Sequence, residues 1–199
     1  MRLAVAAATD VGRVRSNNED SFLVDEEHGC FAVADGMGGH LGGEVASATA
    51  IEVLRASVAG GRAIDEAIVL ANDAVLARAG ADSALAGMGT TLTGLVVGTG
   101  ELVIGHVGDS RAYLLRDGTL RMLTDDHSLV GELIRDGRLT PEEAETHPQR
   151  SVITRCLGSY PGVQVDVVHL PVVAGDRVVL CSDGLTGMVR DAAVAEIKI

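Results

Sequence analysis

The chain has 199 residues and a net charge of −12, with 28 acidic side chains against 16 Lys and Arg. That length fits one domain, 1–199, able to bury roughly 70% of the surface its unfolded form exposes. Hydrophobic residues make up 47%, but Trp is absent and only two Tyr and two Phe occur, so the core is aliphatic and no base-stacking platform is available. The acidic balance opposes a phosphate backbone and excludes nucleic acid as the expected partner.

Three cysteines, Cys30, Cys156 and Cys181, lie far apart without a CxxC pair, which fits a reducing compartment. The opening MRLAVAAATD is too short in apolar residues for a signal peptide, and no run approaches the roughly 18–20 apolar residues of a membrane span. The reading is a cytoplasmic, monomeric protein away from membranes.

In chain order, residues 2–8 and 20–25 read as short strands around the polar loop TDVGRVRSNNED, and 30–35 as a third. From Glu44, Val45, Ala48, Ile51 and Leu54 fall at helical intervals until Gly60-Gly61. A second helix is expected over about 64–79. TTLTGLVVG, ELVIGHVGD and RAYLLRDG return to strand character, with Gly98-Thr99-Gly100 and Asp117-Gly118 as turns, and predict an antiparallel meander. The polar insert 127–150 carries two short helical patterns, the second opening with Thr140 as N-cap and Pro141 in its first turn. Strands follow at about 163–170 and 176–182, then a helix from near Asp191. Grouped strands and helices favour an α+β sandwich over a βαβ repeat.

Three apolar runs end on an aspartate beside Gly or Ser: FAVADG at Asp35, VIGHVGDS at Asp109 and VVLCSDG at Asp183. A doubly buried strand cannot carry an unpaired charge in its middle, so these carboxylates belong at a rim. Asp beside Gly is ordinary turn chemistry when met once. Three carboxylates at one rim repel unless a cation stands between them, and oxygen ligands select magnesium or manganese. Arg15, Asn18, Glu19 and Asp20 crowd the mouth of the second strand. Arg15 suits a phosphate, since its planar fork donates two parallel hydrogen bonds. Glu19 and Asp20 point to opposite sides in strand geometry, so one of them faces a metal. The glycine-rich turn after Asp35 lets the backbone approach an ion, and the Gly36 carbonyl is a hard ligand.

TDxGxxRxxNED at 9–20, ADGMGG at 34–39, GMGTTLT at 87–93, GDSRAYL at 108–114, HPQRSVITRCLG at 147–158 and LCSDGL at 180–185 together resemble bacterial metal-dependent serine/threonine protein phosphatases of the type 2C (PPM) family. The resemblance runs in order along the whole chain. It implies a four-layer αββα sandwich of two mainly antiparallel sheets flanked by helices. Asp35 would bridge two metal ions, with the Gly36 carbonyl on the second and Glu19 reaching that ion through water. Asp183 would hold the first ion, and Asp109 would share a third with Asp183. Arg15 would bind the substrate phosphate, and 127–150 would form the flap over the site. The implied reaction is hydrolysis of phosphoserine and phosphothreonine on proteins by a metal-activated water, with Mn2+ or Mg2+ as cofactor, so Arg15 and Asp35 carry the catalysis and no side-chain nucleophile is required. Substrates of bacterial serine/threonine kinases, and the kinases themselves, are the implied partners.

Two departures from the family pattern stand out. The position after Asp35-Gly36 is Met37, where eukaryotic members carry a histidine proposed as general acid, and His40 is the nearest alternative donor. The family's closing GGxDNxT motif, whose aspartate completes the first metal site, and its last strand do not occur before Ile199. The sandwich is therefore expected to be C-terminally incomplete, with an unpaired sheet edge. The alternative function is a catalytically impaired or truncated domain that binds phosphoprotein or a regulatory partner.

Overall fold

The structure, a computed structural model, describes residues 3–38, 41–189 and 191–194. Its strands form two antiparallel sheets. The larger is built from β1 (Asp20–Asp25), β2 (Cys30–Met37), β4 (Leu92–Val97), β5 (Glu101–Val107) and β8 (Asp166–Pro171) in the order β1-β2-β4-β5-β8, with the two-residue β3 (Gly89–Thr90) added to the end of β2. The smaller has β6 (Arg111–Arg116) between β7 (Thr119–Met122) and β9 (Arg177–Cys181).

Two long helices, α1 (Gly42–Ala59) and α2 (Ile64–Ala81), cover the outer face of the large sheet. Their approach is close because the sheet presents small residues: Ala32 and Ala34 of β2 meet Ala46 and Ala50 of α1, all buried. Gly94 and Gly105 are directly paired across β4 and β5. A Cβ on Gly105 would stand 2.6 Å from Ile68 Cδ1, so the paired glycines form the trough that seats α2. A second apolar layer, with Leu95, Leu102, Ile104, Ala112, Leu114 and Leu170, lies between the two sheets. Leu102 and Ile104 come from the large sheet, and Ala112 and Leu114 from the small one. The short helices are α3 (Leu129–Arg135) and α4 (Pro141–Glu145) in the insert, α5 (Asp183–Thr186) after β9, and α6 (Asp191–Val194), which touches β7. The α+β architecture of two antiparallel sheets with helices is thus as expected.

Several local expectations change. Residues 3–8 form no strand: they are exposed and pair with no described strand, and apolar character alone cannot supply a ladder. The meander does not stay in one sheet, because the chain leaves β5 through Gly108-Asp109-Ser110 and enters the small sheet as β6. β2 runs two residues past Asp35, since β3 pairs with Gly36 and Met37. Asp35 is therefore near the end of its strand, not at it. The helix expected from near Asp191 appears as α6, and its continuation beyond residue 194 lies outside the described residues. The Thr140 cap is present as a full capping box: Thr140 Oγ1 accepts from the Glu143 N–H, and the Glu143 carboxylate accepts from the Thr140 N–H.

Candidate active site

Strand alternation aims Asp35. Cys30, Ala32 and Ala34 point into the helix-side core, so Phe31, Val33 and Asp35 face the other sheet. Asp20 is paired Cα to Cα with Asp35 and shares that face. The backbone of Asp35 is fixed from the other side by the GMGTTLT segment. Its N–H donates to Thr91 Oγ1 (2.9 Å), while the Thr91 N–H and Thr90 Oγ1 both donate to its carbonyl (2.9 Å each).

Gly36 follows under tight constraint. Its N–H donates to the Glu19 carbonyl (3.1 Å), and a Cβ here would stand 2.0 Å from the Gly43 carbonyl oxygen at the start of α1. Gly43 is equally confined, since a Cβ there would lie 2.8 Å from Glu19 Oε1. The Glu19 carboxylate therefore runs along the start of α1, away from the face that holds Asp20, and pairs with Arg15 at 3.3 Å. Of the two neighbouring acids, Asp20 is the one set opposite Asp35.

Asp109 occupies the connection between β5 and β6, and Asp183 opens α5 directly after β9, a strand that lies against β2. Asp35 feels the other three aspartates. Burial, then Asp183, Asp20 and Asp109, push the Asp35 carboxyl up to about 8, and the Asp35 and Asp183 carboxyls are within hydrogen-bonding reach. Burial, then Asp183 and Asp126, raise Asp109 to about 6. Ser182 Oγ donates to Asp20 Oδ2 (2.7 Å), and Ser110 Oγ shares a hydrogen bond with Thr91 Oγ1 (2.7 Å). The serines beside Asp109 and Asp183 thus tie the site to Asp20 and to Thr91. A hollow of about 190 Å³ lined by Thr154, Arg155, Cys156, Ser159 and Tyr160 opens nearby, where Cys156 feels the charge of Asp109.

The residues fit a hard cation. Their donors are all oxygens, and the repulsion that drives Asp35 upward is what a divalent ion between carboxylates removes. Among the described residues, no three His, Cys, Asp or Glu side chains already converge tightly enough to form a closed cage. The carboxylates are neighbours that an ion would draw in.

Residues 12–197 match the Protein phosphatase 2C family. The chain belongs to that family. The serine/threonine protein phosphatase PstP of Mycobacterium tuberculosis is 44% identical over 200 residues, 98% of this chain and 38% of PstP. A crystal structure of the M. tuberculosis phosphatase PstP/Ppp superposes with a TM-score of 0.89, covering 96% of this chain and 83% of that one. The serine/threonine phosphatase stp of Listeria innocua is 40% identical over 202 residues, 95% of this chain and 80% of stp. A crystal structure of the PstP catalytic domain in complex with 2 manganese ions gives a TM-score of 0.86 at 41% identity, over 96% of this chain and 82% of that one. This phosphatase 2C chain therefore spans about two-fifths of the length of PstP.

Of the residues singled out in the sequence, Asp35, Asp109 and Asp183 come together, Arg15 and Glu19 form a pair beside them, and Gly36 is wedged between Glu19 and α1. His40 lies outside the described residues. What the sequence reading of this phosphatase 2C chain missed is the place of Asp20 and the bracing of Asp35 by Thr90 and Thr91. The signals were present, in the alternation of β1 and in the two adjacent threonines of GMGTTLT. Among the described residues no helix is long and apolar enough to cross a membrane.

Proposed function

We propose that this chain hydrolyses phosphoserine and phosphothreonine on proteins, and that residues 1–199 act as one phosphatase domain with 127–150 as its flap. The observation that carries the reading is the crowding of Asp35 by Asp183, Asp20 and Asp109 on one inter-sheet face. Asp35 and Asp183 would hold one ion, Asp35 with the Gly36 carbonyl, and Glu19 through water, would hold a second, and Asp109 with Asp183 would take a third. Manganese, present in the PstP catalytic-domain structure, is the expected ion, and magnesium meets the same hard-ligand requirement. When bound, such ions neutralise phosphoryl charge and acidify water enough for it to attack phosphorus.

The chain's own residues bind and orient. Arg15 is 60% exposed at its side chain and spends one nitrogen on Glu19, which leaves the rest of its fork for the phosphoryl oxygens of substrate. Thr90 and Thr91 keep the Asp35 carboxylate at a fixed height in the site by holding its backbone on both polar groups. Ser182 holds the Asp20 carboxylate by one oxygen. Phosphoproteins made by serine/threonine kinases, and the kinases themselves, are the partners, met by a monomer in the cytoplasm.

The test is manganese-dependent release of phosphate from a phosphothreonine peptide by the 199-residue chain, with Asp35→Asn beside it. Release that chelation abolishes and Asp35→Asn lacks is the expected result. Turnover no higher than that variant's rejects the reading and leaves a domain that binds phosphoprotein without hydrolysing it.

A further inference from the structure

We propose that His127 is a positioning residue for the loop that carries Asp109, acting as the neutral tautomer with its proton on Nε2 and holding the Gly108 backbone with Nδ1. The proposal rests on the reading of Asp109 as a metal ligand. His127 lies between β7 and α3, with its side chain only 3% exposed. It grips Gly108 twice: its N–H donates to the Gly108 carbonyl (2.8 Å), and its Nδ1 accepts from the Gly108 N–H (3.0 Å). A backbone N–H can only donate, so Nδ1 carries no proton and Nε2 carries it. Nε2 meets Asp166 Oδ2 at 3.0 Å, a carboxylate that Arg155 binds through its other oxygen at 2.7 Å. Arg155 also approaches Nε2 to 2.9 Å, but a guanidinium has no lone pair to offer, so the ring proton goes to Asp166.

Gly108 needs this external hold. Its φ is +116°, and a Cβ would stand 2.5 Å from the Thr91 side chain, so the loop passes too close to Thr91, between β3 and β4, for a side chain of its own to anchor it. On the far side of Asp109, Ser110 is held by Thr91, the same residue that accepts from the Asp35 N–H. Asp109 therefore stands between two anchors, one shared with Asp35 and the other made by His127.

Three substitutions separate the roles. His127→Asn keeps an acceptor at the Nδ1 position, His127→Gln keeps a donor toward Asp166, and His127→Ala keeps neither. Free manganese is followed by electron paramagnetic resonance during titration of each 199-residue chain, and ring nitrogen shifts and Gly108 amide exchange are recorded by NMR on the metal-free wild type. The expected results are an Nε2–H tautomer, a protected Gly108 amide, and loss of roughly 10- to 100-fold in manganese affinity at the weakest site for His127→Gln and His127→Ala, with His127→Asn close to wild type. An Nδ1–H tautomer, an unprotected Gly108 amide, or His127→Gln binding as wild type while His127→Asn does not, overturns the proposal. If the variants do not fold, the wild-type tautomer and amide exchange decide it. None of these readouts uses turnover: a chain that binds manganese as expected yet releases no phosphate sinks the phosphatase reading and leaves this one standing.

Discussion

His106 shows how a single residue can tie the site to pH. It is buried, its Nε2 lies 3.1 Å from the Asp125 carbonyl and its Nδ1 2.9 Å from Thr93 Oγ1, and the His127 ring stands 4.7 Å away. Burial first, then the neighbouring His127, push it down to about 4. The direction fixes the sign. Above about 6.5 the ring is neutral folded or unfolded, and it contributes no pH dependence; between 6.5 and 4 only the unfolded chain takes up its proton, so stability falls as pH falls. The loss approaches roughly 3 kcal/mol by the lower end of that window. Urea unfolding of the metal-free chain across this range should show a steeper fall for wild type than for His106→Gln, which keeps a donor and an acceptor without a titrating ring. Equal slopes would mean that the ring is not held neutral. Asp20 and Glu19 show at the same scale what sequence reading gives and withholds. Period-two alternation placed them on opposite faces, but only the pairing of β1 with β2 shows that Asp20 is the one opposite Asp35.

At the scale of elements, the site depends on how closely β2 and α1 approach. Gly36 and Gly43 are in backbone contact, with the Glu19 carboxylate against Gly43. Gly36→Ala drives a methyl into the Gly43 carbonyl and must lift the start of α1, a cost of about 1–3 kcal/mol, with loss of metal binding. Gly80, inside α2 with open space around it, is the internal comparison: Gly80→Ala should raise stability by about 0.5–1 kcal/mol. Denaturation midpoints of the two variants should move in opposite directions. If Gly36→Ala were neutral, the close approach would not matter to the fold. Helices and most strands were readable because each has its own local period or cap, as with the capping box at Thr140. The switch of β6 into the second sheet was not, because nothing in RAYLLRDG states which neighbours it will find. The failed strand at 3–8 makes the same point, since a strand requires a partner as well as a pattern.

For the whole molecule, the two sheets bring together residues far apart in sequence: Asp20 and Asp35 from the large sheet, Asp109 from the crossing between sheets, and Asp183 from the end of the small one. The three strand-end aspartates were legible as a group because each ends an apolar run, while the fourth carboxylate emerged only from the pairing of strands. All the acidic neighbours of Asp35 raise its affinity for a proton, and a divalent ion competes for the same place. Manganese binding to the 199-residue chain, measured by titration calorimetry with Asp35→Asn as the comparison, tests this arrangement most directly. The account predicts at least two ions bound by wild type and loss of that binding in Asp35→Asn. Equal binding by the two chains, or none by either, would contradict it.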